Sequence, residues 1–444
     1  MASLVDFFYY GGLLIGSPIL ASRLLPKRGR RHLAGLRERL GDCPPRRSDR
    51  PCVWIHGVSV GEVRVAGLLM KALEESLPGH ELVLSTTTGT GQEVARRAHP
   101  HQRVIYYPLD FSWAVRRVLD AIRPELVVLV ELEIWPNFLT EAYRRGVAVA
   151  LANGRISDKS FRGYRHVRGW LFDPLGKIGR FCVQTETYAD RFRRLGIPER
   201  QIVVTGSMKY DQLAVEGSDP LATRKEMGLL PDETVLIGGS THPGEERALL
   251  DAWQALRGRF PELRLVLVPR HTERAAEIER QVQTTIPGVQ RRSARLAAGA
   301  TEPIPPGHVL LVDTIGELGR LYSAADVVFV GGSLIPHGGQ NILEPVVLGK
   351  PTVFGPSWEN FKEPVERLLR AEGVREVRDA AGLTRVLGEL LERPADARAM
   401  GERGRSAILA ARGATARTVA ELSAYLDEHR RGKPRRPWGS RTSP

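Results

Sequence analysis

The sequence predicts an α/β protein made of two parallel-sheet halves, each sheet covered by helices on both faces. Three observations predict it. Short apolar runs alternate with helical patterns from Pro51 onward, the signature of repeated strand–helix–strand units. The alternation fades over residues 212–232, QLAVEGSDPLATRKEMGLLPD, and restarts at Thr234, which places a boundary between the halves. A chain of 444 residues that is 42% apolar can also fill two cores, where one core rarely grows so large.

The elements follow in order. Residues 7–22, FFYYGGLLIGSPILAS, carry no charge, and Arg23, Lys27, Arg28, Arg30 and Arg31 come directly after them. This predicts an apolar anchor helix lying at a membrane, with the rest of the chain on the cytoplasmic side. The stretch is short of the roughly 20 residues a span needs. A buried first helix is the alternative. In the first half, strands are predicted at Cys52–His56, Glu81–Ser85, Arg103–Tyr107, Leu126–Val130, Val147–Leu151, Arg180–Gln184 and Gln201–Thr205. Helices are predicted at Val60–Glu75, Trp113–Ile122 and Pro136–Arg145, the last opened by a proline at its first position. In the second half, Thr234–Gly238, Arg264–Pro269, Val309–Val312 and Val327–Val330 read as strands and Arg247–Arg257 as a helix, with a loop over 284–307. Helices over Ala380–Glu392 and Ala395–Glu428 close the half, and a basic tail without a fold occupies 429–444. The domains are therefore 1–50, 51–212, 233–428 and the tail.

Net charge is +13, and 12 of those charges sit in the segments Pro26–Arg50 and His429–Pro444. A nucleic-acid-binding body shows a basic face of its own. Basic ends suit an anionic membrane surface instead. Cys43, Cys52 and Cys182 have neither disulfide-framework nor metal-ligand spacing. No Asp-x-Asp pair, His-x-x-x-His spacing or Cys cluster offers metal ligands, so neither a metal nor a cofactor is expected.

Parallel sheets bind ligands at the carboxyl ends of their strands, and that rule selects the candidate residues. Glu62 lies in HGVSVGEV, where a strand becomes a helix. It can take a proton from an attacking hydroxyl, and Ser59-x-x-Glu62 also fits a capping box. STTTGTG (Ser85–Gly91) lacks the Lys-Ser/Thr of a nucleotide triphosphate loop. ELEIWPN puts Glu131 and Glu133 directly after a buried strand, NGRIS follows another, and GSMKYD supplies Lys209. In the second half, Pro269 and Arg270 end a strand in LVPRH, and DTIGELGRLY carries Gly316, Glu317 and Leu318. Gly331, Gly332, Gly338 and Gly339 bracket a loop that enters a helix at Asn341, Ile342, Leu343 and Glu344. Asn341 is the expected cap, and free N–H groups there suit a phosphate. A plain glycine turn is the competing reading.

These loops, in this order, resemble the Kdo transferase family of lipopolysaccharide inner-core synthesis, glycosyltransferase family 30. HGVSVGE, STTTGTG, ELEIWPN, NGRIS, GSMKYD, LVPRH, DTIGELGRLY and GGQNILEP together carry the resemblance. It implies a GT-B fold: two Rossmann-like domains facing a cleft, the first for the acceptor and the second for CMP-Kdo. It implies inverting transfer of Kdo (3-deoxy-D-manno-octulosonic acid) to the lipid A precursor lipid IV(A), on the cytoplasmic face of the inner membrane. By position Glu62 matches the general base, and Glu131 and Lys209 match transition-state stabilisers. Pro269, Arg270, Gly316–Leu318 and Asn341–Glu344 match the CMP-binding segments. The acid motif reads ELE where the family pattern has a different middle residue. The alternative is a GT-B enzyme using another sugar nucleotide, such as a lipid-linked hexosamine transferase.

Overall fold

The computed structural model describes residues 5–7, 9, 35–167, 174–213, 218–286 and 288–432. The chain divides into two compact units, Met1–Gln212 with Arg412–Pro444, and Leu213–Ala411.

The first unit holds β1 (Cys52–His56), β2 (Glu81–Thr86), β3 (Arg103–Tyr106), β4 (Leu126–Val130), β5 (Ala148–Gly154), β6 (Arg180–Val183) and β7 (Ile202–Val204). Their order is β3-β2-β1-β4-β5-β6-β7, and the strands pair in parallel. The winding reverses between β1 and β4. Both are buried along their whole length, as strands covered on two faces must be. Alternate residues feed opposite cores. Trp54 joins Phe138, Phe181 and Phe192 on one face, and Val53 and Ile55 join Leu69 and Leu73 on the other.

The second unit holds β8 (Thr234–Thr241), β9 (Leu263–Pro269), β10 (Gly288–Arg291), β11 (His308–Leu311), β12 (Val327–Val330), β13 (Thr352–Phe354) and β14 (Arg375–Glu376). The order is β10-β11-β9-β8-β12-β13-β14, again in parallel, and the reversal lies between β8 and β12. The loop expected over 284–307 contains β10 and a helix, Arg292–Ala297. Every residue of this edge strand is half-buried, so it carries no apolar alternation to read.

The second half does not run to 428. Its last helix is Pro394–Leu409, and the chain turns at Gly413, where φ is 85°. The final helix, Ala414–Arg431, belongs to the first unit. Ala414, Val419, Leu422 and Leu426 complete the core that contains Val53 and Ile55. Asp211 accepts hydrogen bonds from Gly413 N, Thr415 N and Thr415 Oγ1, each at 2.7 Å, and so fixes the start of this helix. The basic tail is also shorter than expected. His429 lies 2.9 Å from the Gly146 carbonyl, and Arg430 pairs with Glu125 at 2.6 and 2.7 Å.

The end of the 1–50 segment is part of the first unit. Cys43 is in its core, Arg46 pairs with Glu81 at 2.6 Å, and Arg50 donates to the Pro78 and His80 carbonyls at 3.0 Å. Apart from Phe7 and Tyr9, the anchor expected over 7–22 lies outside the described residues. Among the described residues no helix is long and apolar enough to cross a membrane.

Candidate functional site

At the β1–β4 reversal of the first unit, three acids converge on loops that leave neighbouring strands. Glu62 is in the first turn of the helix Val60–Ser76, which Ser59 caps. Ser59 Oγ accepts from Glu62 N at 3.3 Å and donates to Glu62 Oε1 at 2.8 Å. Glu62 Oε2 accepts from Val58 N at 2.8 Å. The capping box is therefore real, displaced by one residue on the return bond. It also holds the Glu62 carboxylate in one orientation with lone pairs to spare.

The next loop supports this one. Thr88 caps the helix Gly89–Ala98 by accepting from Gly91 N at 3.1 Å, and its hydroxyl donates to the Val58 carbonyl at 3.1 Å. A Cβ at Gly91 would stand 2.8 Å from Thr88 Oγ1 and 3.2 Å from the Val58 carbonyl oxygen. The STTTGTG segment is thus a polar helix cap that braces the Glu62 loop.

Glu131 directly follows β4 with φ at 64°, a left-handed conformation unusual for a glutamate. Its carboxylate lies 3.3 Å from Lys209 Nζ and 3.8 Å from Arg155 Nε. Lys209 sits in the 3₁₀ turn Met208–Gln212. Asn153 near the end of β5 sets that turn's position by accepting from Met208 N at 3.0 Å. The structure thus brings Glu131 and Lys209 together and adds Arg155 from NGRIS. Glu133 takes a different environment. Trp135 Nε1 donates to it at 3.0 Å. Burial pushes its carboxyl up to about 7, the Glu62 charge pushes the same way, the Trp135 bond opposes, and Glu131 adds a little more. Nearby His56 is buried and stacks on Tyr107 with ring centroids 3.8 Å apart, and burial holds its imidazole down at about 3.

In the second unit the predicted residues also stand at strand ends. Pro269 closes β9, and Arg270, exposed, donates its N–H to the Thr241 carbonyl at 3.0 Å. Gly316, with φ at 91°, precedes Glu317 and the short helix Leu318–Leu321. Glu317 accepts from the Thr314 hydroxyl and from Arg292 and Arg320, and each arginine has a nitrogen at 3.2 Å. Burial raises its carboxyl, but these donors outweigh burial and hold it below the usual range. The helix after the glycine loop is only Leu343–Val347, with Ile342 in the capping position. Asn341, the expected cap, still accepts from Leu343 N at 3.2 Å and donates to Glu344 at 2.8 Å.

The glycine loop itself is not a set of free amides. Glu245, buried at the start of the helix Glu245–Leu256 that follows β8, accepts from Gly332 N at 2.7 Å and from Ser333 N and Leu334 N at 2.9 Å. His242 N donates to the same carboxylate at 2.9 Å. Gly338 N donates to Ser357 Oγ at 2.8 Å, and the Gly339 and Gln340 amides donate to the loop's own carbonyls. An internal carboxylate thus takes the amides at the start of the glycine loop, ahead of the Asn341–Glu344 segment.

Sequence reasoning also missed a cluster of three histidines near Arg270 and Arg274. The His242 and His337 rings are 4.1 Å apart, and the His242 and His271 rings 5.8 Å. Burial, then His337, His271, Arg274 and Arg270, hold the His242 imidazole down at about 4. The three histidines are far apart in sequence, so only the β8–β9–β12 adjacency could reveal them.

A family model described as 3-deoxy-D-manno-octulosonic-acid transferase (kdotransferase) matches residues 34–212. The 3-deoxy-D-manno-octulosonic acid transferase of Haemophilus influenzae is 32% identical over 438 residues, 95% of this chain and 99% of that one. That of Bordetella pertussis is 35% identical over 384 residues, 84% of this chain and 87% of its own. A crystal structure of a glycosyltransferase from Rickettsia africae shares the fold, with a TM-score of 0.55 at 11% identity over 85% of this chain and 99% of that one.

Proposed function

The chain belongs to the 3-deoxy-D-manno-octulosonic acid transferase family, and from that premise we propose that it moves Kdo from CMP-Kdo to a hydroxyl of a lipid A precursor, with Glu62 as general base. The near full-length match to the Haemophilus influenzae relative carries the activity. The acceptor oxygen attacks the anomeric carbon, the bond from that carbon to the phosphate oxygen breaks, and CMP leaves with the electron pair. Glu62 takes the hydroxyl proton. One displacement of this kind inverts the anomeric centre, and it needs one base and one good leaving group.

The base assignment is supported by the placement of Glu62 at the strand-order reversal, where open α/β sheets bind ligands. Its capping bonds pre-set the carboxylate, so little reorganisation accompanies proton transfer. Lys209 and Arg155 flank Glu131 and leave positive charge beside it for the charge that develops on the substrate. For the acceptor, a groove of about 390 Å³ in the first unit is lined by Phe161, Arg162, Arg165, Arg191 and Arg194, with Asp158 paired to Arg191 at 2.5 Å and Asp190 to Arg194 at 3.8 Å. Four arginines against two acids leave the groove a positive excess that suits a phosphorylated glycolipid. We place the enzyme at the cytoplasmic face of the inner membrane, on the strength of the uncharged stretch 7–22.

The test is a transfer assay with CMP-Kdo and lipid A precursor, read by product mass. The proposal expects a product heavier by Kdo units. No product from CMP-Kdo, with transfer from a UDP-sugar instead, sinks it in favour of a hexosamine transferase.

A further inference from the structure

We propose that His271 and His337, packed against His242, form a subsite for the carboxylate of the donor sugar, adjoining the nucleotide contacts in which Arg270 is expected to take part. The inference rests on the Kdo reading. A CMP-Kdo donor carries two anions: the phosphate, and the carboxylate that makes Kdo an acid. Both lie next to the reacting carbon. An ordinary hexose donor has no carboxylate there, so an enzyme of this family gains selectivity from a second cationic site.

The geometry supplies one. The three rings come from the loops after β8, β9 and β12, which are the strand ends around the reversal of the second sheet. His242 is buried, and His271 and His337 are exposed. Gln340 Nε2 lies 3.1 Å from His242 Nε2. Donation from that amide leaves Nε2 the acceptor and the proton on Nδ1. His242 therefore acts as a neutral, fixed platform, and the two exposed rings and Arg270 present donors around it. The acids close by are committed elsewhere. Glu245 accepts four backbone N–H groups, including that of His242, and Glu246 binds Arg274 at 2.8 Å and Thr241 at 2.9 Å. Glu273, 3.5 Å from His271 Nδ1, is the carboxylate that competes with a ligand for an exposed ring. The site is built to hold an anion with hydrogen bonds to imidazole and guanidinium, the pairing that charge-assisted bonds favour.

The experiment compares wild type with His337→Ala, His271→Ala and the double variant, measuring the KM for CMP-Kdo and the inhibition constant of CMP. CMP keeps the phosphate and lacks the sugar carboxylate. Each single substitution should raise the KM for CMP-Kdo about tenfold, the size of one charge-assisted bond. CMP inhibition should move less than about twofold. Equal weakening of both ligands would place the phosphate, not the carboxylate, on the cluster and overturn the proposal. No change in either would show that the cluster binds nothing. Wild type that fails to use CMP-Kdo would refute the Kdo reading itself, and that is read before the variants. Both rings are exposed, so the variants should fold, and unchanged CMP inhibition doubles as the check.

Discussion

Single residues in this protein often do two jobs, and the structure separates jobs that the sequence left merged. Glu62 is both a helix cap and the proposed base. Glu131 and Glu133, two residues apart, part company: Glu131 joins a cationic pair, and Glu133 is half-buried with its carboxyl pushed up to about 7. The sign of the Glu133 effect comes from proton linkage. Its folded value lies above the unfolded one, so the folded state holds the proton more tightly. Stability from this group is present at low pH and is lost as pH rises from the ordinary carboxylate range through about 7. Glu133→Gln should flatten that loss. Thermal melting should show the variant more stable than wild type at about pH 8 and equal to it below about pH 4. Asn153 is the second test at this scale. Its side chain holds Met208 N, and its φ of 54° suits asparagine. Asn153→Ala should cost about 1–3 kcal/mol in denaturant unfolding and lower turnover, because the Lys209 turn loses its tether.

At the scale of elements, strands were easier to read than the loops that carry the chemistry. Leu126–Val130 and Val327–Val330 stand out because both faces are buried and the apolar run is unbroken. β10 did not stand out, since its GVQR sequence lies half-exposed at an edge. The glycine loop after β12 shows the limit of local reading. Its glycines do adopt positive φ, 64° at Gly332 and 94° at Gly338. The Gly332, Ser333 and Leu334 amides nevertheless turn inward to Glu245, which lies 87 to 89 residues earlier in the chain. No spacing rule displays that partnership. Glu245→Ala should leave four N–H groups without an acceptor, three of them buried and that of Leu334 half-buried. At about 1–3 kcal/mol each, the loss should exceed about 4 kcal/mol, measured as a fall in the second unit's unfolding free energy.

For the whole molecule, the division into two halves was legible because the hydrophobic period stops and restarts. The return of the last helix to the first unit was not, because Pro394–Leu409 and Ala414–Arg431 form an almost continuous helical pattern. Gly413 marks the break, and Asp211 of the first unit caps the helix on its far side. Ending the chain at Ala411 should therefore harm the first unit rather than the second. It removes Val419, Leu422 and Leu426 from a core, at roughly 1.5–3 kcal/mol apiece. Hydrogen exchange should show β1 and β4 losing protection while β8 and β12 keep theirs.

The organisation of the first unit bears on one proposal above the others: proton removal by Glu62. A single-turnover comparison of wild type and Glu62→Gln, with CMP-Kdo and lipid A precursor, tests it most directly. Glutamine keeps the size and a capping acceptor but takes no proton. The account predicts a rate lower by about 100-fold or more, with CMP inhibition and folding unchanged. Transfer by the variant at the wild-type rate would contradict it.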